Sequence, residues 1–211
     1  MIPTCKLDGI ALKYGTDKSS ENHNYCPLYE KHLPEKIESL LEIGVWKGAS
    51  IKMFKEWYKD EGKFFAMDVF GGEVITETQL GAIGVNSIVG SQSDMALLKT
   101  IKEKFTVLVE DGSHHSDEQV ITFRQMFKHN IAPGGLYVLE DAFCANDKYW
   151  WRGVVKKFED TALGIFQKYL AGGTLECDFI TYDESKELMA MIESVDIYNG
   201  AIIFIKKKED A

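Results

Sequence analysis

The sequence predicts a single α/β domain built on a seven-stranded, mostly parallel sheet that ends in an antiparallel hairpin. Three observations lead there. Short apolar runs of strand length alternate with segments of helical spacing from residue 39 onward, and such alternation implies parallel strands joined by crossover helices. Asn199-Gly200 separates two late apolar runs, the strongest short-range hairpin signal. The 211 residues, 45% of them hydrophobic and 12% aromatic, fall within the range of one domain with a full core. The expected organisation is one structural domain, with 1–35 as an N-terminal segment and 36–211 carrying the sheet.

Taken in order, 39–43 reads as the first strand and 49–59 as a helix, with Ile51, Phe54 and Tyr58 at helical spacing. A second strand is expected over 63–69 and a short third over 86–89. The helix 95–104 leads to a buried fourth strand, 105–109. Residues 117–130 read as helix, Pro133-Gly134-Gly135 as a turn, and 136–139 as the fifth strand. Helices are expected over 154–170 and 185–193, and strands over 196–198 and 201–206 flank the hairpin turn.

The net charge of −9 argues against nucleic acid as the main partner, because phosphate binding needs a basic surface. The basic run Lys206-Lys207-Lys208 reads as a solvated tail. No apolar run approaches the ~20 residues needed to cross a membrane, and the first eight residues lack a secretory signature. Cys5, Cys26, Cys144 and Cys177 are scattered without CxxC or zinc spacing. They read as free thiols in a reducing, cytoplasmic compartment.

Three strand ends suggest a nucleotide-type pocket. The first strand runs into Glu42-Ile43-Gly44-Val45-Trp46-Lys47-Gly48. There Gly44 and Gly48 would let backbone approach a ligand closely. The spacing is Gly-x-x-x-Gly and not the GxGxxG of pyrophosphate binding. Asp68 closes the second strand, where an acid can accept hydrogen bonds from ribose hydroxyls. The third strand ends in Gly90-Ser91-Gln92-Ser93-Asp94; Ser91 and Gln92 could flank an adenine, while Asp94 reads better as a helix cap. This order fits S-adenosylmethionine better than NAD.

The most informative segments are Glu110-Asp111-Gly112-Ser113-His114-His115 and Leu139-Glu140-Asp141, each following a strand-like run. Ligands in open α/β sheets bind at the carboxyl ends of strands. Asp111, Glu140 and Asp141 would converge there and repel one another unless a cation sat between them. All-oxygen ligands suit a hard ion such as Mg²⁺. His114 is placed to act as general base, and an unperturbed imidazole, titrating near ~6.5, is available in neutral form at physiological pH. Singly, each carboxylate is as readily structural as functional; together the functional reading is favoured. His115 reads as helix-start scenery.

At these residues the chain resembles a family of metal-dependent sugar O-methyltransferases, which act on deoxysugars of macrolides, other glycosylated natural products and surface glycans. The resemblance spans Tyr14 to Lys206. It is carried by Tyr14-Gly15-Thr16-Asp17-Lys18, by His23 with Tyr25 and Tyr29, and by the LLEIGVWKGAS, GSQSD, DGSHH and PGGLYVLED segments. It implies a Rossmann-like class I methyltransferase fold, S-adenosylmethionine as cofactor, Mg²⁺ on Asp111, Glu140 and Asp141, and His114 as base. It further implies that the N-terminal segment folds over the cofactor, with Tyr14, Thr16, Asp17 and Lys18 beside it. Glu42, Gly44, Val45, Trp46, Gly48, Asp68, Ser91, Gln92 and Asp111 would complete the cofactor site. His23 and Tyr25 look like part of the same lid, whereas ordinary packing suits Tyr29 equally well.

There are departures. Glu110 stands where the family usually has aspartate, and 142–151 differs in detail. Within it Tyr149-Trp150-Trp151 could stack a sugar's apolar face or simply pack the next helix; His115, Tyr149 and Trp150 are the candidate acceptor residues. Some relatives carry a large additional N-terminal domain that this chain is expected to lack. Homo-oligomers are common in such families, but no sequence patch defines an interface.

The expected function is therefore methyl transfer to a hydroxyl of a sugar or glycoconjugate, with a deoxysugar such as rhamnose as the leading acceptor. A catechol-like phenol is the alternative acceptor. An NAD(P)-dependent oxidoreductase is disfavoured by the missing GxGxxG and the terminal hairpin. A non-catalytic module is disfavoured because Asp111, His114, Glu140 and Asp141 are all present.

Overall fold

Seven strands form one twisted sheet in the order β3-β2-β1-β4-β5-β7-β6. They are β1 (Ser39–Ile43), β2 (Lys63–Asp68), β3 (Val85–Val89), β4 (Phe105–Glu110), β5 (Ile131–Leu139), β6 (Ile192–Tyr198) and β7 (Ala201–Lys206). The computed structural model describes residues 2–208; Met1 and 209–211, the ends of the ranges 1–35 and 36–211, lie outside the described residues. β1 to β5 pair in parallel, and β7 runs antiparallel to both β5 and β6. Chain order reverses between β1 and β4, the topological switch point at which open sheets bind ligands.

Side chains alternate between the two faces along each strand. Leu40, Val107, Val109, Val138 and Ile203 enter one core with Leu7, Tyr25, Tyr29 and Phe54, which lie on helices α1 (Lys6–Tyr14), α2 (Cys26–His32) and α3 (Ala49–Trp57) or at their ends. Leu41, Leu108, Tyr137, Leu139 and Phe204 enter the other core. It is covered by α6 (Ser116–His129), α7 (Ala162–Leu170) and α8 (Tyr182–Met191). Phe123 is the hinge pin of that second core, in ring contact with Phe127, Tyr137, Phe166 and Phe204 at centroid separations of 4.7 to 5.3 Å. No helix among the described residues is long and apolar enough to cross a membrane, and the four cysteines are free.

Several boundaries differ from the sequence expectation. Helix α5 (Met95–Thr100) stops short of 104 because the Asn130 amide donates to the Ile101 and Glu103 carbonyls and holds that stretch as an extended connector. Asp94 caps this helix by accepting from the Ala96 and Leu97 amides. Pro133-Gly134-Gly135 lies within β5 as an irregularity: Phe105 pairs with Ile131 but Val107 with Leu136, and Gly134 takes up the extra residues at φ +74°.

The helix expected from 154 begins only at Ala162, where the Thr161 hydroxyl accepts from the Gly164 amide. Residues 185–193 are shifted too. Thr181 and Glu184 form a capping box that starts α8 at Tyr182, and Glu193 belongs to β6. The short α4 (Glu77–Ala82) and the helices α1 and α2 are additions to the expected set.

Truncating Phe123 to alanine should cost about 3–5 kcal/mol, read as a lowered urea midpoint. A loss below 1 kcal/mol would mean this aromatic cluster repacks freely.

Candidate functional site

Strand register brings the acidic residues together. Ile43 pairs with Glu110, and Glu110 with Leu139. The Asp111 amide donates to the Ile43 carbonyl and the Glu140 amide to the Glu110 carbonyl, both at 2.9 Å. Three strand ends thereby finish at one level. Gly44, at φ +80°, packs backbone against backbone there: a Cβ on it would lie 2.0 Å from the Asp111 carbonyl oxygen. A side chain on Gly112 would likewise overlap the Gln92 amide oxygen.

Alternation then sorts the carboxylates between the two faces. Glu42 and Glu140 point to the face covered by the N-terminal segment, where the buried Lys18 ammonium meets them. Lys18 Nζ donates to Asp111 Oδ2 at 2.5 Å and to Glu140 Oε2 at 2.7 Å, and lies 3.9 Å from Glu42 Oε1. Burial opposes the ammonium charge, but the three carboxylates, Asp111 first, outweigh it and hold Lys18 well above the ordinary lysine range. Burial also raises Asp111 and Glu140, with Lys18 acting against the shift in both. Glu42 is pushed up to about 7, first by burial, with Lys18 and the Ser50 hydroxyl acting against the shift. Glu110 points to the opposite face, where Gln92 Nε2 donates to it at 2.8 Å. Burial pushes it up to about 8.

On the open side of this cluster, Asp111, His114 and Asp141 each offer a ligand atom within 4.8 Å of the others. His114 Nε2 lies 4.0 Å from Asp111 Oδ1 and 3.8 Å from Asp141 Oδ2. The Tyr25 hydroxyl donates to the other Asp141 oxygen, Oδ1, at 2.6 Å, and the Tyr29 hydroxyl donates to Glu140 Oε1. His114 and Asp141 both adopt left-handed backbone, φ +56° and +52°, a conformation uncommon outside glycine and concentrated at functional sites.

A cavity of about 610 Å³ opens beside this cluster, lined among others by Tyr14, Thr16, Asp17, Gly44, Val45, Trp46, Asp68, Asp111 and His114. A smaller one, about 190 Å³, shares Gly44, Asp68 and Gly112 with it and adds Ser91 and Gln92. Together they follow the switch point from β4 across β1 to β2 and β3. Asp68 accepts from the Val45 and Phe70 amides, at 3.0 and 3.3 Å, which orients its carboxylate.

Not every expected cofactor residue faces this cleft. Lys18 and Glu42 lie beneath it: face alternation turns Glu42 inward, and Asp111 and Glu140 hold the lysine there. Gly48 is absent from the lining too; at φ +73° it shapes the turn into α3, where a Cβ would meet Ile75. Gln92 uses its amide internally, donating to Glu110 and accepting from the Ser113 amide at 2.8 Å. Of the expected acceptor residues, Trp150 sits 5.8 Å from the His114 ring and 5.5 Å from His115, and Tyr149 is exposed. Trp151 instead is buried, its indole N–H donating to the Ala145 carbonyl, so the packing role belongs to that ring.

Comparison with characterised proteins bears on this geometry. Mycinamicin VI 2''-O-methyltransferase of Micromonospora griseorubida is 29% identical over 157 residues, 68% of this chain and 37% of its own length. An 8-demethyl-8-alpha-L-rhamnosyl tetracenomycin-C 2'-O-methyltransferase of Streptomyces olivaceus is 29% identical over 181 residues, 79% and 45%. L-olivosyl-oleandolide 3-O-methyltransferase of Streptomyces antibioticus is 31% identical over 160 residues, 70% and 39%. Its homologues are sugar O-methyltransferases. The chain spans less than half the length of these curated relatives.

No family model matches the chain. Among solved structures, the MycE methyltransferase of the mycinamycin biosynthetic pathway, in complex with Mg and SAH, superposes with a TM-score of 0.78 at 22% identity. The match covers 97% of this chain and 55% of that one. That likeness establishes the class I methyltransferase fold.

Sequence spacing alone did not reveal how Tyr25 and Tyr29 attach to the acidic cluster. The tyrosines at 25 and 29 have i, i+4 spacing, which sets both hydroxyls on one side of α2; that was the available signal.

Glu110 supplies a pH test. Its carboxyl binds a proton more tightly in the folded chain than in the unfolded one, so it costs stability progressively as pH rises from about 4.5 to about 8. Glu110→Gln keeps an acceptor for Gln92 and removes the ionisable group. Its urea midpoint should match the native one near pH 4.5 and exceed it at pH 8.5. Equal midpoints at both pH values would refute a protonated Glu110.

Proposed function

We propose that the chain transfers a methyl group from S-adenosylmethionine to a hydroxyl of a sugar, on a glycosylated natural product or glycan, with a rhamnose-type deoxysugar as the leading acceptor. The observation that carries this reading is the convergence of Asp111 Oδ1, Asp141 Oδ2 and His114 Nε2 at the rim of the cavity formed by Gly44, Asp17 and Asp68. The sugar chemistry of the homologues supports it.

The residues fit both groups the reaction needs. The larger cavity, about 610 Å³, falls in the size range of small-molecule sites, and Gly44 lines it where backbone packs directly on backbone. Thr16 and Asp17 of the N-terminal segment form one wall, consistent with a cofactor-covering role for 1–35. Asp111 and Asp141 offer hard oxygens to Mg²⁺, whereas Glu140, expected as a third ligand, is buried with its two oxygens held by Lys18 and Tyr29. Bound there, the ion would polarise an acceptor hydroxyl and favour its ionised form.

The protein's own groups do the rest. His114 Nε2, not hydrogen-bonded to either aspartate, is free to accept the hydroxyl proton. S-adenosylmethionine held in the cavity would supply the methyl group to that oxygen, its C–S bond breaking as the C–O bond forms and S-adenosylhomocysteine leaving. Trp150, Tyr149 and His115 stand on the acceptor side, where a sugar's apolar face can lie against a ring.

Thermal shift with S-adenosylhomocysteine, NADH or buffer, each with Mg²⁺ or EDTA, tests the reaction class. A ligand at a hundred times its Kd adds about 2.7 kcal/mol. Stabilisation by S-adenosylhomocysteine with a further Mg²⁺ increment is expected; a response to NADH alone would overturn the assignment. With a rhamnoside as acceptor, His114→Ala should lower kcat by about 10² to 10⁴ and leave S-adenosylhomocysteine affinity within a few-fold. Asp141→Ala should remove metal dependence and activity together. Full activity in the His114 variant would remove it as base.

A further inference from the structure

The N-terminal segment grips the acidic cluster with three side chains: Lys18 holds Asp111 and Glu140, Tyr25 holds Asp141, and Tyr29 holds Glu140. The same segment supplies Thr16 and Asp17 to the cavity wall. It is also closed upon itself. The Lys18 carbonyl accepts from the Tyr25 and Cys26 amides at 2.9 and 3.3 Å, and the Asp17 carbonyl accepts from the His23 amide at 2.9 Å. Residues 16–29 therefore form a strap whose cavity wall and carboxylate grips are one bonded piece.

The oxygens divide cleanly. The strap holds Asp111 by Oδ2 and Asp141 by Oδ1, while Asp111 Oδ1 and Asp141 Oδ2 face His114. A cation on the open side and the strap on the other would thus use different oxygens of the same two carboxylates. Each would fix the carboxylate plane that the other requires. Lys18 is the centre of this arrangement, because its ammonium is buried among Asp111, Glu140 and Glu42 and is not itself part of the cleft lining.

We propose that Lys18 is a positioning residue: through the strap it couples the cofactor cavity to the acidic cluster, so that cofactor and divalent ion each strengthen the binding of the other. This rests on the methyltransferase reading above. Such coupling is reciprocal, since both ligands bias one equilibrium of the strap. Tyr25 is a second grip in the same linkage, acting on Asp141.

The experiment is titration calorimetry of the full chain with S-adenosylhomocysteine, with and without saturating Mn²⁺, and with Mn²⁺ in the presence and absence of S-adenosylhomocysteine. In the native protein each ligand should tighten the other by about tenfold, within the ~5–150-fold span usual for linked sites. Lys18→Met should bring that factor to within twofold of unity. Tyr25→Phe, which removes one hydroxyl and leaves no buried charge, should reduce it to about threefold. The second variant and the native factor decide the matter if Lys18→Met does not fold.

A native protein that binds both ligands independently would overturn the coupling alone and leave the methyltransferase reading standing, as would variants that keep the full native factor. A native protein that binds no S-adenosylhomocysteine would overturn that reading and this inference with it. A merely structural lysine would lower stability without moving the coupling factor.

Discussion

An ammonium buried among three carboxylates organises this molecule. Lys18 comes from the beginning of the chain, Glu42 from β1, Asp111 from the end of β4 and Glu140 from the end of β5. Taking such charges out of water is expensive, and the attraction between them repays that cost only when geometry is good and other polar atoms are satisfied. Here Tyr29 takes the remaining oxygen of Glu140 and His114 faces that of Asp111. Breaking the arrangement would strand charges on several elements at once, so it ties the N-terminal segment to the ends of three strands.

The sheet decides where those charges meet. A one-residue slip of β4 against β1 would turn every side chain to the opposite face. Glu110 would then confront Lys18, and Asp111 would lose it. Gly44 and Gly112 reinforce the register, since their backbones approach Asp111 and Gln92 more closely than any side chain would allow. Carboxylates with opposite surroundings, Glu110 beside an amide and Glu140 beside an ammonium, thus arise from alternation along paired strands.

Much of this was legible in the amino-acid order. The runs ending at Ile43, Asp68 and Glu110 are apolar and closed by glycine or acidic residues, so β1, β2 and β4 stand within a residue of their expected bounds. The segment Ile192–Tyr198 was harder: Met189, Met191 and Ile192 continue a helical pattern, and only pairing with β7 draws residues 192–195 into a strand. The capping pairs Thr76 with Gln79 and Thr181 with Glu184 were visible signals for α4 and for the start of α8. Asp111, His114 and Asp141 were recognisable from their places at strand ends. The destination of Lys18 was not, because it depends on partners 93 and 122 positions away.

The two sides of the cleft are built differently. On one side, backbones of β1 and β4 touch at Gly44, and almost any change there must be answered by its neighbour. On the other, the chain after Asp141 makes short turns, Ala142–Asn146 and Lys148–Trp151, anchored by the buried Trp151 while Phe143 and Tyr149 project outward. Tyr149 meets solvent and not the sheet, whereas Phe143 stacks on the His23 ring. The outermost ring of this rim can therefore vary while the acidic cluster is left unaltered.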